Sequence, residues 1–349
     1  MLTEFRHATL RPGQIDTPHH FWNGGDFALE RGGRINGLEL CYVTHDSLNG
    51  PRNNTILVTT SLGGNHHRLD FLIGSGRALG PERYFIVCVD AIGNGLSVSP
   101  SNSPVQAASR FPYFGLRDMV ASQHRFLTEH LGIESLAGVV GASMGGMQAL
   151  QWAVSYPDFM RNVVAMTAMA RTAPWAVAVI EAARRALTAD ERWNGADFDS
   201  YPERGWRAWS AVMHVLANRT PAALGEMFSA PLDVLLWMER IASDSRASTM
   251  DALDWIYQSR AYEAHDVGMT PSCDTDTAGA LQTVRARTLL LSAPFDLFNP
   301  FECAEEAAKQ IPGASLLTIP TNQGHLGASS TSDSDSDFLN SHIASFLDE

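Results

Sequence analysis

The sequence predicts an α/β protein with a mostly parallel central sheet, flanking helices and an inserted helical lid. Short apolar runs rich in β-branched residues alternate with longer segments of helical spacing, as in sheets covered on both faces. One long segment, residues 171–279, breaks this alternation. A chain of 349 residues is long enough for one large domain with such an insertion.

The predicted elements follow from periodicity and from the glycine and proline residues that end them. Apolar runs predict the strands at residues 38–44, 55–60, 84–90, 136–140, 162–168, 288–292 and 315–319. Amphipathic spacing predicts the flanking helices at residues 116–131, 145–156, 300–310 and 335–347.

Residues 171–279 are rich in Ala, Trp, Met and Arg at helical spacing and contain no convincing strand. We therefore expect residues 1–170 and 280–349 to form the α/β core. The segment between them is expected to fold as a helical lid or cap over the sheet.

Composition narrows the classes of function. The net charge of −13 disfavours binding to nucleic acid or to an anionic membrane, because both require a basic surface. The only lysine, Lys309, is badly placed for a phosphate-binding loop or a Schiff base. The N-terminal stretch is polar and lacks an apolar signal core, and the four cysteines form no CxxC pair, so we expect a cytoplasmic protein.

A nucleophile motif lies at Gly141-Ala142-Ser143-Met144-Gly145, which matches G-x-S-x-G. A predicted strand precedes it and a predicted helix follows it. This is the context of the nucleophile elbow in the α/β-hydrolase fold, where a sharp turn exposes the serine hydroxyl and small neighbours are needed. The sequence therefore predicts that Ser143 is a covalent nucleophile for acyl transfer.

A serine nucleophile needs a base and a carboxylate that orients the base. In this fold they follow the serine in the order acid, then histidine. Asp296 follows the strand predicted at 288–292, and His325 lies in the loop after the last strand. Glu302 as the acid and His342 as the base are weaker candidates, because both lie inside predicted helices.

The oxyanion hole should combine the amide after the serine, that of Met144, with an amide from the loop after the third strand. Leu62 is the candidate there. The neighbouring pair His66-His67 suggests a metal, but no HExxH or paired carboxylate set accompanies it. We therefore expect these histidines in a loop near the pocket mouth, with no metal and no organic cofactor.

The chain resembles homoserine O-acetyltransferases and their esterase relatives. The most specific resemblance is GASMGGMQALQW at residues 141–152, followed by Tyr156-Pro157. Weaker blocks lie at residues 46–50, 72–79, 84–88, 259–262 and 324–325. The resemblance implies a Ser–His–Asp enzyme that works by a ping-pong acyl-enzyme mechanism, a helical lid and a homodimer formed through that lid.

The resemblance breaks in the lid, where the family transferases hold homoserine with an arginine and a tyrosine of an A-R-x-x-x-H-x-T-Y block. Here the matching stretch, residues 209–217, has Ser210 and Ala217 at those positions. The family's aspartate after the catalytic histidine is Leu326. Arg207 or Arg219 could substitute for the missing arginine. The changes predict a more apolar substrate pocket, which is formed by Trp209, Met213, Leu216 and Leu326.

These features favour a serine carboxylesterase for short-chain, acetyl esters, with a small uncharged ester as its substrate. A site without charged partners for a zwitterion should hold an amino acid poorly, which leaves water to deacylate the enzyme. The alternative is an acetyl-CoA-dependent O-acetyltransferase acting on homoserine or another alcohol. A non-catalytic binding protein on the same fold is a third reading, disfavoured by the intact Ser, Asp and His.

Overall fold

The structure is a computed structural model that describes residues 10–246, 250–274 and 276–348. Its central feature is one eight-stranded sheet. The strands, numbered along the chain, are β1 (His20–Ala28), β2 (Arg34–His45), β3 (Thr55–Thr59), β4 (Phe85–Val89), β5 (Leu136–Ala142), β6 (Met160–Met166), β7 (Arg287–Ser292) and β8 (Ser315–Thr318).

The sheet has the order β1-β2-β4-β3-β5-β6-β7-β8. Strand β2 runs antiparallel to both β1 and β4, and every pair from β4 to β8 is parallel. This confirms the predicted mostly parallel sheet. The carboxyl ends of β3, β5, β6, β7 and β8 therefore meet along one edge, where ligands bind in open α/β sheets.

Helices flank the sheet and fill the segment between β6 and β7. Those around the sheet are α1 (Leu116–Glu129), α2 (Met144–Ser155), α9 (Phe301–Gln310) and α10 (Asp333–Asp348). Those between β6 and β7 are α3 (Pro174–Thr188), α4 (Glu203–Val212), α5 (Pro221–Met227), α6 (Pro231–Arg246), α7 (Ala252–Glu263) and α8 (Thr277–Gln282).

The predicted lid boundary at residue 279 falls inside α8. This helix packs on α9, and Gln282 donates a side-chain hydrogen bond to Gln310 at 3.3 Å. Helix α8 thus lies beside the sheet-flanking helices.

The sheet is covered on both faces because its strand residues alternate between two buried clusters. Leu57, Val139 and Val163 belong to the larger cluster, which also contains lid residues such as Trp206 and Trp255. Their strand neighbours Ile56, Val140 and Val164 belong to the cluster on the opposite face. The lid is thus packed into the same core as one face of the sheet. None of the helices among the described residues is long and apolar enough to cross a membrane.

Candidate active site

Ser143 lies at the turn between β5 and α2, where the backbone adopts a conformation that L residues rarely use. Its φ is 56° and its ψ is −125°. The glycines around it are required because a larger residue would not fit. A Cβ on Gly141 would lie 2.2 Å from the carbonyl oxygen of Gly145, and a Cβ on Gly145 would lie 2.4 Å from that of Thr59. The turn therefore has the strained geometry of a nucleophile elbow.

The three predicted catalytic side chains form one continuous hydrogen-bonded chain. The Nε2 atom of His325 lies 2.9 Å from the Oγ atom of Ser143, and its Nδ1 atom lies 2.8 Å from the Oδ2 atom of Asp296. All three residues are buried. The rivals lie elsewhere: Glu302 is exposed in the first turn of α9, and His342 bonds to the Phe338 carbonyl within α10.

Asp296 is held in place by the loop that follows β7. Its Oδ1 atom accepts hydrogen bonds from the amides of Phe298 at 2.8 Å and Asn299 at 2.9 Å, which leaves Oδ2 for the histidine. The Phe298 ring meets the His325 imidazole edge to face, with centroids 5.1 Å apart. The imidazole is thereby fixed both by a carboxylate and by an aromatic wall.

The two predicted oxyanion amides lie on rigid supports beside Ser143. Met144 begins α2, so its amide belongs to the first turn of the helix and has no partner within it. Leu62 lies in the loop after β3. That loop is anchored by the Ser61 hydroxyl, which donates to the Ala142 carbonyl at 2.7 Å, and by the Gly63 amide, which donates to Gln258 at 3.0 Å. Among the described hydrogen bonds, none uses the amide of Leu62 or Met144.

A cavity of about 370 Å³ opens onto Ser143 and His325. Three of the predicted pocket residues line it, namely Trp209, Met213 and Leu326. Leu216 does not line it and is 41 % exposed, so that prediction was wrong. The physical reason is local: residues 213–217 form a π-helical turn, which rotates the side chains that follow Met213.

The cavity contains features that sequence reasoning missed. Its apolar wall is extended by four more residues, Trp206, Met250, Trp255 and Phe298. One charged residue, Arg68, also lines it, and nothing in the sequence had indicated its place there. The two arginines considered as substitutes are not part of the lining, and Arg207 instead pairs with Glu239 on the surface at 2.7 Å.

His66 and His67 are buried and do not line this cavity, which corrects their predicted place in a loop at its mouth. Both lie in a 3-10 helix, residues His66–Leu72. The Nδ1 atom of His66 lies 2.7 Å from Asp90, and that of His67 lies 2.7 Å from Asp70. Burial lowers the pKa of His66, but the charge and hydrogen bonds of Asp90 outweigh this and raise it.

Comparison with known proteins places this geometry in a family. A family model described as the alpha/beta hydrolase fold matches residues 54–327. A probable esterase from Corynebacterium glutamicum is 32% identical over 329 residues, which cover 90% of this chain and 91% of the relative. An ethyl acetate hydrolase from Pseudomonas veronii is 31% identical over 341 residues, covering 95% of each chain.

Transferases are similarly close in sequence. A homoserine O-acetyltransferase from Chlorobaculum parvum is 32% identical over 326 residues, covering 89% of this chain and 90% of the relative. Among solved structures, an acetylester hydrolase from Corynebacterium glutamicum superimposes with a TM-score of 0.88 at 28% identity, covering 95% of this chain and 96% of the other. The chain belongs to the α/β-hydrolase family, in the group that contains homoserine O-acetyltransferases and acetyl and alkyl esterases.

Proposed function

We propose that this protein is a serine carboxylesterase that hydrolyses short-chain, acetyl esters through an acyl-Ser143 intermediate. The observation that carries the proposal is the unbroken hydrogen-bonded chain from the Ser143 hydroxyl through His325 to Asp296. Ser143 and His325 line a cavity of about 370 Å³ whose apolar wall includes Trp206, Trp209, Trp255 and Phe298. The relatives named as a probable esterase, from Corynebacterium glutamicum, and as an ethyl acetate hydrolase, from Pseudomonas veronii, support hydrolysis.

Acylation begins when His325 accepts the Ser143 proton and Oγ attacks the ester carbonyl carbon. The amides of Leu62 and Met144 would stabilise the negative charge on the carbonyl oxygen. The carbon–oxygen bond to the alcohol then breaks, and the alcohol leaves with the proton from His325. Asp296 orients the imidazole and stabilises its charged form throughout.

Deacylation repeats these steps with water. His325 removes a proton from water, whose oxygen attacks the acyl carbon, and the bond to Ser143 breaks as Oγ takes the proton back. No metal or organic cofactor is needed for either half-reaction. The acyl group passes to water or to an alcohol, according to which of these acceptors the cavity holds.

The second candidate, an acetyl-CoA-dependent O-acetyltransferase, is favoured by the homoserine O-acetyltransferases among the relatives. The two lid positions that bind homoserine in the family transferases argue against a transferase. Ser210 is buried and its hydroxyl donates to the Arg207 carbonyl at 2.8 Å, and Ala217 is buried without any polar group. Neither can bind the ammonium and carboxylate groups of an amino acid.

A side-by-side assay tests the proposal. Acetate release from small alkyl acetates is compared with acetylation of homoserine by acetyl-CoA, in the wild type, Ser143→Ala and the surface control Ser334→Ala. We expect ester hydrolysis that falls by about 10⁴-fold or more in Ser143→Ala, because triad members act as one unit. Efficient O-acetylhomoserine formation with negligible ester cleavage would replace the esterase by the transferase. Labelling by a phosphonate serine reagent should require Ser143.

A further inference from the structure

Arg68 is an unpaired cation inside the candidate active site. It lines the same cavity as Ser143 and His325 and is half-buried. Its guanidinium forms no hydrogen bond or ion pair with any residue that the structure describes, and burial lowers its pKa to about 10. At neutral pH it therefore remains charged, and it carries the cost of desolvation without a protein partner.

The surroundings of Arg68 offer no compensation for its charge. Among the described residues, the cavity lining contains no Asp or Glu, and its other polar side chains are those of serine, threonine, asparagine, tryptophan and histidine. A guanidinium presents a planar set of donors that matches a carboxylate with two parallel hydrogen bonds. An anionic group on the ligand would supply the missing partner.

We propose that Arg68 forms a carboxylate-binding subsite, so that the preferred substrates are esters carrying a carboxylate, such as acetylated hydroxy acids or monoesters of dicarboxylic acids. This inference rests on the proposed esterase function and specifies the charge of its substrates, on either the alcohol or the acyl portion. The aromatic and aliphatic wall would hold the uncharged part of the ester, while Arg68 orients its charged end relative to Ser143.

Two matched substrate pairs test the subsite and locate the charge. Acetoxyacetate and acetoxyacetone differ by a carboxylate on the alcohol portion. Monoethyl succinate and ethyl 4-oxopentanoate differ by a carboxylate on the acyl portion. In at least one pair, we expect kcat/KM to favour the anion by about 10- to 100-fold, the range for hydrogen bonds between charged groups.

The variants are Arg68→Met, which keeps the length of the side chain, and Arg207→Met, which removes an arginine outside the cavity. Arg68→Met should bring the preference close to one, because neither member of a pair then meets a guanidinium, whereas Arg207→Met should keep the wild-type preference. Equal preferences in the wild type and Arg68→Met, in both pairs, would overturn the subsite.

A binding measurement separates this inference from the proposed function. Calorimetry on Ser143→Ala protein measures acetoxyacetate affinity without turnover, with and without Arg68→Met. Loss of acetoxyacetate affinity on adding Arg68→Met to Ser143→Ala supports the subsite, even if hydrolysis is not observed. Indistinguishable affinities would overturn the subsite and leave the esterase reaction intact.

A second observation, independent of Arg68, concerns three histidines outside the cavity. One ring nitrogen from each of His19, His66 and His67 lies within 4.8 Å of the others. His66 and His67 are buried, and each presents its Nδ1 atom to a buried aspartate at 2.7 Å. An imidazole oriented by a carboxylate in this way is the usual arrangement of histidines that ligate transition metals.

We infer that His19, His66 and His67 form a site for a borderline divalent metal ion such as Zn²⁺, with Asp90 and Asp70 orienting two of the ligands. Imidazole nitrogens suit such ions, and three protein ligands leave a position for solvent. The ion would join the segment before β1 to the 3-10 helix that follows the Leu62 loop, a structural role separate from the ester chemistry.

His20 provides a matched control because it is adjacent to His19 but exposed and outside the cluster. Chelator-treated protein is titrated with Co²⁺ and Zn²⁺, following the Co²⁺ absorption spectrum, metal stoichiometry and thermal unfolding. We expect one ion per chain, at least a 10-fold loss of affinity in His19→Gln and His67→Gln, and none in His20→Gln. Absence of one-to-one binding, or equal affinities in His19→Gln and His20→Gln, would overturn the site.

Discussion

At the scale of single residues, Asp296 uses its two carboxylate oxygens for different tasks. Oδ1 accepts two backbone amides and Oδ2 faces the Nδ1 atom of His325. In Asp296→Asn, the amide oxygen must keep the two backbone donors, so the NH₂ group faces the histidine. The imidazole would then accept at Nδ1 and carry its proton on Nε2, where it can no longer accept the Ser143 proton.

We therefore expect kcat of Asp296→Asn to fall by about 10⁴-fold at neutral pH, with little change in the unfolding temperature. The measurement is steady-state hydrolysis of an alkyl acetate together with thermal unfolding. Near-normal kcat would show that Asp296 does not control the imidazole tautomer.

Asp254 is a fully buried carboxyl group outside the catalytic chain. The Ser101 amide and hydroxyl donate to it, at 2.9 and 2.5 Å, but burial outweighs these bonds and raises its pKa from 3.8 to about 7. The folded state binds this proton more tightly than the unfolded state. The protonated Asp254 carboxyl group therefore contributes its full stabilisation of the fold below about pH 4. This stabilisation is lost as the pH rises towards 7.

Replacing Asp254 by Asn removes this titration. We compare the two proteins by the unfolding temperature of the wild type minus that of Asp254→Asn. We expect this difference to decrease between pH 4 and pH 7 and to stay constant above pH 7. Thermal unfolding of both proteins from pH 4 to pH 9 provides the measurement. Parallel curves for the two proteins would contradict the assigned shift.

The sequence predicted some single residues of the site better than others. The order Ser143, Asp296, His325 follows from fold topology, because each lies just after a strand that ends at the same edge. Arg68 has no such signal. It lies in the 3-10 helix His66–Leu72, and the order of the strands does not determine which side chains of that helix reach the cavity.

At the scale of secondary structure, the π-helical turn at residues 213–217 decides which lid side chains face the cavity. In a regular helix, positions 209, 213 and 216 share a face at i, i+4 and i+7. The Asn218 amide instead bonds to the Met213 carbonyl at 3.0 Å, five residues back. The wider turn moves Leu216 outwards and places Asn218 on the cavity wall.

This geometry predicts different effects for two similar substitutions. Met213→Ala enlarges the cavity and should raise KM for small alkyl acetates several-fold, because apolar contact with the ester is lost. Leu216→Ala should leave KM unchanged. Steady-state kinetics of both variants checks the prediction, and a larger effect from Leu216→Ala would mean that the regular helical face is the one in contact with substrate.

Strand prediction succeeded where burial on both faces leaves a continuous apolar run. All seven predicted strands are present, since the inner strands contain little else than aliphatic residues. The edge strand β1 was missed because its sequence contains Gly24 and Gly25, and its register with β2 shifts twice around them. Glycine-containing bulges interrupt the alternation that identifies a strand.

At the scale of the whole molecule, the lid presents an apolar surface on α6. Leu232, Leu235 and Leu236 are 60–63% exposed and share one helical face at i, i+3 and i+4. The opposite face of the same helix is buried, with Trp237 and Ile241 directed inwards. Apolar patches of this kind mark protein–protein contacts.

We expect this face to form the homodimer that the family resemblance implies. Sedimentation measurements should give a dimer for the wild type. Leu235→Glu should shift it towards the monomer, because a carboxylate buried between two copies has no partner. Val105→Glu, at an exposed apolar residue in the α/β core, should remain dimeric. If Leu235→Glu and the wild type sediment alike, this helix face does not mediate the contact. Loss of the dimer should also change KM for alkyl acetates. The reason is that α6 packs on α4, and α4 carries Trp209, which lines the cavity.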